Sequence, residues 1–505
     1  MQVQRWPVRT AVTLSYTMGH FMIRRIIYLL LLVGSCLGPF SMPTRAAGGS
    51  RLEQVIQTAE AKKTKFSIYF YDPATDKPIY AHNPDTPLIP ASNMKLITTA
   101  AALDQLGPDF SYQTRIALWQ GNLVVLAAGD PLTGDPVIAQ RRQKDIYAIF
   151  QDILEQLRQR KITALTGDLL IDDTIFDDQR FHPSWPVKQS DKWYTAQISA
   201  LNFNDNCIDV NFAPAAQPGQ IASYTLCPDT KYVNIENECK TISSGSNKLG
   251  GRRPQDTNNI TLFGKCRYSQ TINVTIDRPS AYFGFVLAEY LLRNGIDING
   301  KLIIKNLRDE KGRLPGDLEI FLTHTTPIRE VLPEANRRSL NMVAECLFKT
   351  LGAYFDPNTS TSSANPAQGS WPRGRLAVEA FLKKLSIDPA LYQIDDGSGM
   401  SYENRLSARC ITRVLAYMLT QPTADLYRES MATPEDGTLA KHNRFSEPQY
   451  DGRIFAKTGF LNRAVALSGY AKTESGGFII FSLITNDHTQ NPIGDLDTIV
   501  KEIIK

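Results

Sequence analysis

The sequence is poor in histidine. Its six residues, His20, His82, His182, His324, His442 and His488, show no ligand spacing and no His-Glu-x-x-His run, so a zinc hydrolase of that type has no support and no metal or cofactor is expected. A charge excess is also missing. Lys and Arg number 55 against 51 Asp and Glu, and Arg5, Arg9, Arg24, Arg25 and Arg45 all precede Ala47, which leaves 50 basic residues beyond that point. A near-neutral chain without a basic patch interleaved with aromatics gives no electrostatic footing for nucleic acid or an anionic membrane surface. Long apolar runs are absent too: the run at residues 26–37 is too short to cross a bilayer comfortably. No fixed-period repeat is found.

What is present begins with that short run. Arg24 and Arg25 precede it, and Gly38, Pro39 and a small-residue stretch ending Thr44-Arg45-Ala46-Ala47 follow, the pattern of an export signal over residues 1–46. Met22 makes the more conventional start for such a signal, and the alternative is an uncleaved anchor giving loose membrane association. A periplasmic location is expected. Cys36, after Val33-Gly34-Ser35, is a weak match to a lipoprotein processing site. The other six cysteines are an even number in a chain bound for an oxidising compartment, and one disulfide is expected among Cys207, Cys227, Cys239 and Cys266. Cys346 and Cys410 lie in apolar helical patterns and are expected as buried thiols.

At 505 residues and 42% hydrophobic content the chain can build two or three globular units. A helical pattern from Leu52 leads into a strand-like run at 66–71 and a helix opening near Ser92 and running through Leu106. The end of the chain mirrors this, with strands at 453–456, 464–470 and 477–484 and a closing helix over 493–504. Helical periodicity dominates residues 328–420. Between them, residues 111–316 differ in character, with short strand signals at 116–119, 123–127, 169–172, 272–276 and 302–304, helices near 140–160 and 280–294, and most of the cysteines. This stretch reads as an insertion of two small α+β or β-rich units, with the main unit made of 51–110 and 317–505.

Three short motifs carry chemistry. Ser92-Asn93-Met94-Lys95 is the one Ser-x-x-Lys of the chain, and a helix presents residues three apart on one face, so Lys95 can activate the Ser92 hydroxyl as a nucleophile. Pro90 and Ala91 suit a helix start, whose free NH groups can face a reacting carbonyl. Lys457-Thr458-Gly459, also unique, closes a strand-like run where an edge can pair with a peptide and an ammonium can attract a carboxylate. Ser-x-Asn occurs at Ser339-Leu340-Asn341 and at Ser363-Ala364-Asn365; the first opens an amphipathic helix, the second lies in a low-complexity loop. Ser339 can relay a proton between Lys95 and a leaving amine, and Asn341 can hydrogen-bond a substrate amide. Three motifs in this order are those of penicillin-binding proteins and class A β-lactamases.

On these motifs the sequence resembles the class C low-molecular-mass penicillin-binding proteins, D-alanyl-D-alanine carboxypeptidases and endopeptidases with a large insertion after the nucleophile helix. Further segments carry the likeness: Gly129-Asp130-Pro131, Gly167-Asp168-Leu169-Leu170-Ile171-Asp172-Asp173, Asp395-Asp396-Gly397-Ser398-Gly399-Met400-Ser401, Asp436-Gly437-Thr438-Leu439 and Leu467-Ser468-Gly469-Tyr470, over roughly residues 51–505. The resemblance implies an α/β (α+β) fold of the β-lactamase/transpeptidase type, an antiparallel sheet flanked by helices, with inserted α+β domains. It implies an acyl-enzyme on Ser92, Lys95 as general base, Ser339 and Asn341 as the second motif, and Lys457, Thr458, Gly459 and Phe460 at the substrate carboxylate. The NH groups of Ser92 and Phe460 would form the oxyanion hole, and Ser398 would border the cleft. Peptidoglycan stem peptides are the implied substrates, β-lactams the implied covalent inhibitors, and a homodimer the implied assembly. The sequence departs from the pattern at Leu340, between the serine and the asparagine, and at Phe460, where related enzymes often carry a hydroxyl.

Two rivals share parts of this pattern. A β-lactamase needs a glutamate-activated water, and Glu403 lies in the right interval, but Asn404, Arg405 and Leu406 fit the carboxypeptidase pattern. A non-catalytic wall-binding scaffold with a vestigial cleft would not need the full reactive set.

Overall fold

The computed structural model describes residues 49–363 and 366–504. The expected export signal, Cys36 and the Ala364-Asn365 part of the second Ser-x-Asn lie outside the described residues. No helix among those described is long and apolar enough to cross a membrane.

The main unit is built on a five-stranded antiparallel sheet in the order Lys77–His82, Lys65–Asp72, Phe478–Asn486, Ala464–Lys472, Ile454–Leu461. The two chain ends therefore meet in one sheet, as the mirrored patterns predict. Strand Ala464–Lys472 is buried at every position but its last, because helices cover both faces, and its composition is correspondingly apolar and small. On one face the helix Gly49–Ala61 packs with the closing helix Ile493–Ile503, Leu52 and Ile56 sharing a core with Leu496, Ile499 and Val500.

The other face carries the helix that follows Ser92. Met94–Leu106 is buried from Met94 through Leu103, a run of Met, Leu, Ile, Thr and Ala in which Lys95 is the one charged side chain, as befits a helix surrounded by others. It packs against Ile328–Asn336, Asn341–Tyr354, Trp371–Lys384 and Ala408–Leu419. The helical stretch expected at 328–420 is thus four helices, with Ser339 and the 395–401 turn among the segments that separate them. Ser92 does not open the α-helix. It sits in a short 3₁₀ turn, Ala91–Asn93, ahead of it.

The intervening region holds a second five-stranded sheet in the order Leu302–Ile304, Leu169–Asp172, Asn122–Leu126, Ser111–Trp119, Glu319–Pro327. Glu319–Pro327 pairs antiparallel with Ser111–Trp119 and so extends this sheet past residue 316, the boundary read from composition. The region also holds a three-stranded sheet (Cys207–Ala213, Ser223–Cys227, Gln270–Thr275) and a four-stranded one built around Asn259–Cys266. No disulfide joins the four cysteines here, contrary to expectation. Cys207, Cys239 and Cys266 are fully buried in the apolar core of the region, where each serves as a small hydrophobe. Cys346 and Cys410 are buried thiols.

Candidate active site

The turn that carries Ser92 is strained and is held by cross-links. Ala91 has φ of 47° and Ser339 has φ of 64°, left-handed values that cost non-glycine residues energy and that here flank the reacting groups. Asn93 Nδ2 donates to the Lys457 carbonyl at 3.1 Å, tying the turn to the edge strand. Gly399, at φ of 80°, lies so close that a Cβ there would come within 1.8 Å of the Ala91 carbonyl oxygen; no other residue fits.

Lys95 is fully buried, and its Nζ lies 3.1 Å from Ser92 Oγ, 2.6 Å from Asn341 Oδ1 and 2.7 Å from the Ser398 carbonyl oxygen. A neutral amine has two N–H groups and one lone pair. Asn341 and Ser398 accept the two N–H groups, which leaves the lone pair for the Ser92 hydroxyl proton. Burial pushes the Lys95 ammonium down to about 7, against the opposing pull of the Asp396 and Glu345 carboxylates. A base poised there is suited to work near neutrality.

The other motif residues divide between cleft and support. Ser92, Ser339, Asn341, Thr458 and Phe460 line a cleft of about 800 Å³. Asn341 uses both ends of its amide on the protein, Nδ2 donating to the Tyr194 carbonyl of the inserted region at 2.8 Å. Lys457 is fully buried: its Nζ donates to Ser339 Oγ and to the Thr458 carbonyl, each at 2.8 Å, and burial followed by the nearby Lys95 pushes it well below the ordinary lysine value. It acts on the cleft through Ser339 rather than as an exposed ammonium. Thr458 Oγ1 donates to Thr438 Oγ1 at 2.9 Å, which sets two threonine hydroxyls at the cleft wall. The Lys-Thr-Gly residues lie inside the edge strand rather than at its end, since Gly459 still pairs with Ala466. Phe460 is 63% exposed.

Ser398 differs most from its expected role. It is fully buried, its Oγ accepts from the Met400 NH at 3.3 Å, and it serves through its carbonyl, not at the cleft surface. Sequence reasoning also passed over Trp193, Tyr194 and Tyr402, which form part of the cleft wall, the first two from the inserted region. It assigned no role to Glu345, and it placed Asp396 in a turn bordering the cleft, whereas both carboxylates are buried beneath the site. A usable signal existed for Glu345, which falls four residues after Asn341 and hence on the same helix face.

Comparisons with known proteins give the family. A model of the D-Ala-D-Ala carboxypeptidase 3 (S13) family matches residues 49–501. The chain is 30% identical over 478 residues to a D-alanyl-D-alanine carboxypeptidase of an Actinomadura species, covering 88% of this chain and 83% of the relative. It is 22% identical over 441 residues to the D-alanyl-D-alanine carboxypeptidase DacB of Haemophilus influenzae, covering 83% and 84%. Its backbone is similar to the crystal structure of penicillin binding protein 4 from Haemophilus influenzae, with a TM-score of 0.72 at 21% identity over 90% of this chain and 99% of that one. With the family match running from the first described helix through the last, and the Ser92, Lys95, Ser339 and Asn341 side chains gathered at one cleft, the chain belongs to the D-Ala-D-Ala carboxypeptidase 3 (S13) family.

Proposed function

We propose that Ser92 is the nucleophile through which this serine-type D-Ala-D-Ala carboxypeptidase cleaves peptidoglycan stem peptides, exported and acting on the wall. The observation that carries the assignment is the Lys95 amine, buried, held by two acceptors and 3.1 Å from Ser92 Oγ. In the first half-reaction the Ser92 hydroxyl proton passes to Lys95 as Oγ attacks the carbonyl of the penultimate D-alanine. The tetrahedral oxyanion is stabilised by backbone NH groups, assigned by resemblance to Ser92 and Phe460; such donors typically contribute about a hundredfold to a thousandfold in rate. The proton that Lys95 took from Ser92 is then relayed through the Ser339 hydroxyl, which is hydrogen-bonded to Lys457, to the leaving D-alanine amine, and the substrate carboxylate meets the Thr458 and Thr438 hydroxyls. Water then releases the acyl group. Cross-link cleavage likewise attacks the bond after a D-alanine, with the amine of the partner strand as leaving group, so an endopeptidase activity follows from the same groups. β-Lactams acylate Ser92 by the first half of this path.

Covalent labelling with a fluorescent penicillin and peptide mapping test the assignment. A stable adduct on Ser92, absent in Ser92→Ala, is expected. A folded protein that neither labels nor hydrolyses the drug would instead favour a wall-binding scaffold. Rapid turnover would favour a β-lactamase, against which stands Glu403, exposed and not among the residues that line the cleft.

A further inference from the structure

Beneath the cleft lies a buried polar cluster that no step above uses. Glu345 is fully buried on the helix that presents Asn341. Its Oε1 accepts from the Ser398 NH at 2.7 Å, and its Oε2 accepts from the Gly397 NH at 3.1 Å and from the Trp371 indole at 2.8 Å. Asp396, equally buried, accepts from the Gly399 NH at 2.7 Å, the Ser401 NH at 2.6 Å, Asn404 Nδ2 at 2.7 Å and the Trp185 indole at 2.9 Å. Thr98, on the nucleophile helix, donates to the Gly397 carbonyl at 2.7 Å. The turn at 396–399 is therefore gripped from both sides, and its one carbonyl facing the reacting groups is that of Ser398, 2.7 Å from Lys95 Nζ.

Resting on Lys95 as the base, we propose that Glu345 is a positioning residue of the acylation step. Its carboxylate fixes the Ser398 peptide so that the carbonyl takes one N–H of Lys95 and aims the amine lone pair at Ser92. One helix thus supplies both acceptors of the amine, Asn341 directly and Ser398 through Glu345. The charge matters as well as the shape. A neutral amide in place of the carboxylate can accept from one of the two backbone NH groups but turns an NH₂ toward the other.

The charged and titratable groups facing this pair are few. Burial, followed by the neighbouring Asp396, pushes the Glu345 carboxyl up to about 7, and Lys349, one turn along the same helix, interacts with it electrostatically. Lys95 faces Asp396 and Glu345 on one side and Lys457 on the other. His182, Asp395 and Arg375 form an outer group around Asp396. Removing the Glu345 charge takes away one of the two carboxylates that favour the Lys95 ammonium, so the base titrates at lower pH.

The test is the pH profile of acylation by a chromogenic β-lactam for the wild-type protein, Glu345→Gln and Glu345→Asp, with thermal melting of each. Wild-type acylation at Ser92 must be seen first; its failure would sink the catalytic assignment itself. Given that, the rising limb of Glu345→Gln is expected to move acid by about one pH unit, with a plateau lowered at least about tenfold. Glu345→Asp, which keeps the charge, is expected to restore the limb position. A Glu345→Gln limb and plateau matching wild type within about twofold, or equal plateau losses in both variants with no limb movement, would overturn the proposal. Should Glu345→Gln not fold, Trp371→Phe removes one donor to the carboxylate and is expected to shift the limb in the same direction by less; an unmoved limb there overturns it too.

Discussion

Arg338 offers a sharp test of how the inserted region supports the site. It immediately precedes Ser339, and its Nη1 donates to Asp135 Oδ2 at 2.7 Å and to Glu334 Oε2 at 2.6 Å, while Nη2 lies 3.7 Å from Asp205 Oδ2. Asp135 and Asp205 belong to the inserted region, and the side chains of Asp135 and Glu334 are 0% and 1% exposed. Replacing Arg338 by Met leaves three carboxylates converging around an apolar side chain. Breaking a buried ion pair by removing one partner costs about 3–5 kcal/mol. Unfolding entropy of about 2.1 cal/mol/K per residue gives about 1 kcal/mol/K for a unit of this size, so the melting temperature should fall by about 3–5 °C. The loss should depend on pH. Uncompensated carboxylates in the folded variant have pKa values raised above those of the unfolded chain, so the native state holds the extra protons, and stability drops as pH rises through the raised values. Asp205 is already pushed well above the usual carboxylate range by burial and then by Asp135. The variant should therefore lie closer to wild type at pH 5 than at pH 8, and β-lactam acylation should fall with it because the left-handed Ser339 loses its neighbouring clamp. Differential scanning calorimetry at both pH values, with acylation rates alongside, checks this. A melting loss under about 1 °C, or one equal at pH 5 and pH 8, would refute the clamp.

Two further outcomes are expected. Acylation of wild-type protein should rise with pH through about 7, because below that value Lys95 is an ammonium with no lone pair for the Ser92 proton; stopped-flow acylation at pH 5.5 to 8.5 reads the limb directly. Phe460→Thr should leave the melting temperature within about 1 °C, since the ring is 63% exposed, and should raise kcat/KM on a peptide ending in free D-Ala-D-Ala by adding a hydroxyl beside those of Thr458 and Thr438; D-alanine release by the two proteins compares them.

The motifs were legible because each is a local fact. A spacing of three across the 3₁₀ turn and the start of the helix puts Ser92 and Lys95 together, and apolar runs at both ends of the sequence reveal strands of one sheet without saying which is the edge. What periodicity could not give was anything set by a contact far along the chain. Lys457 reads as a cation at a strand end until Gly459 is seen pairing with Ala466 and the lysine is found buried beneath Ser339. Ser398 reads as a cleft residue because its turn is polar, yet that polarity answers to buried acceptors, Glu345 on one side and Asp396 on the other. Glycine-rich turns beside a catalytic motif invite assignment to substrate; here the tight approach of Gly399 to the Ala91 carbonyl brings a backbone oxygen, not a side chain, to the base.

The same logic bears on why the inserted region cannot be a detachable appendage. Trp185 donates to Asp396, the Tyr194 carbonyl accepts from Asn341, and Asp135 and Asp205 hold Arg338 beside Ser339. Asn341 and Ser339 of the second motif thus each have a partner or a partner's neighbour in the inserted region. An unpaired buried amide or guanidinium costs roughly 1–3 kcal/mol or more, so a chain without that region would take partners from two such groups, Asn341 and Arg338, and one donor from Asp396, at the point where Lys95 must be held. The Trp193 and Tyr194 wall of the cleft and the contacts that hold Asn341 and Asp396 are consequently built by one and the same segment, and mutations in residues 185–205 are expected to change acylation rate as well as substrate affinity.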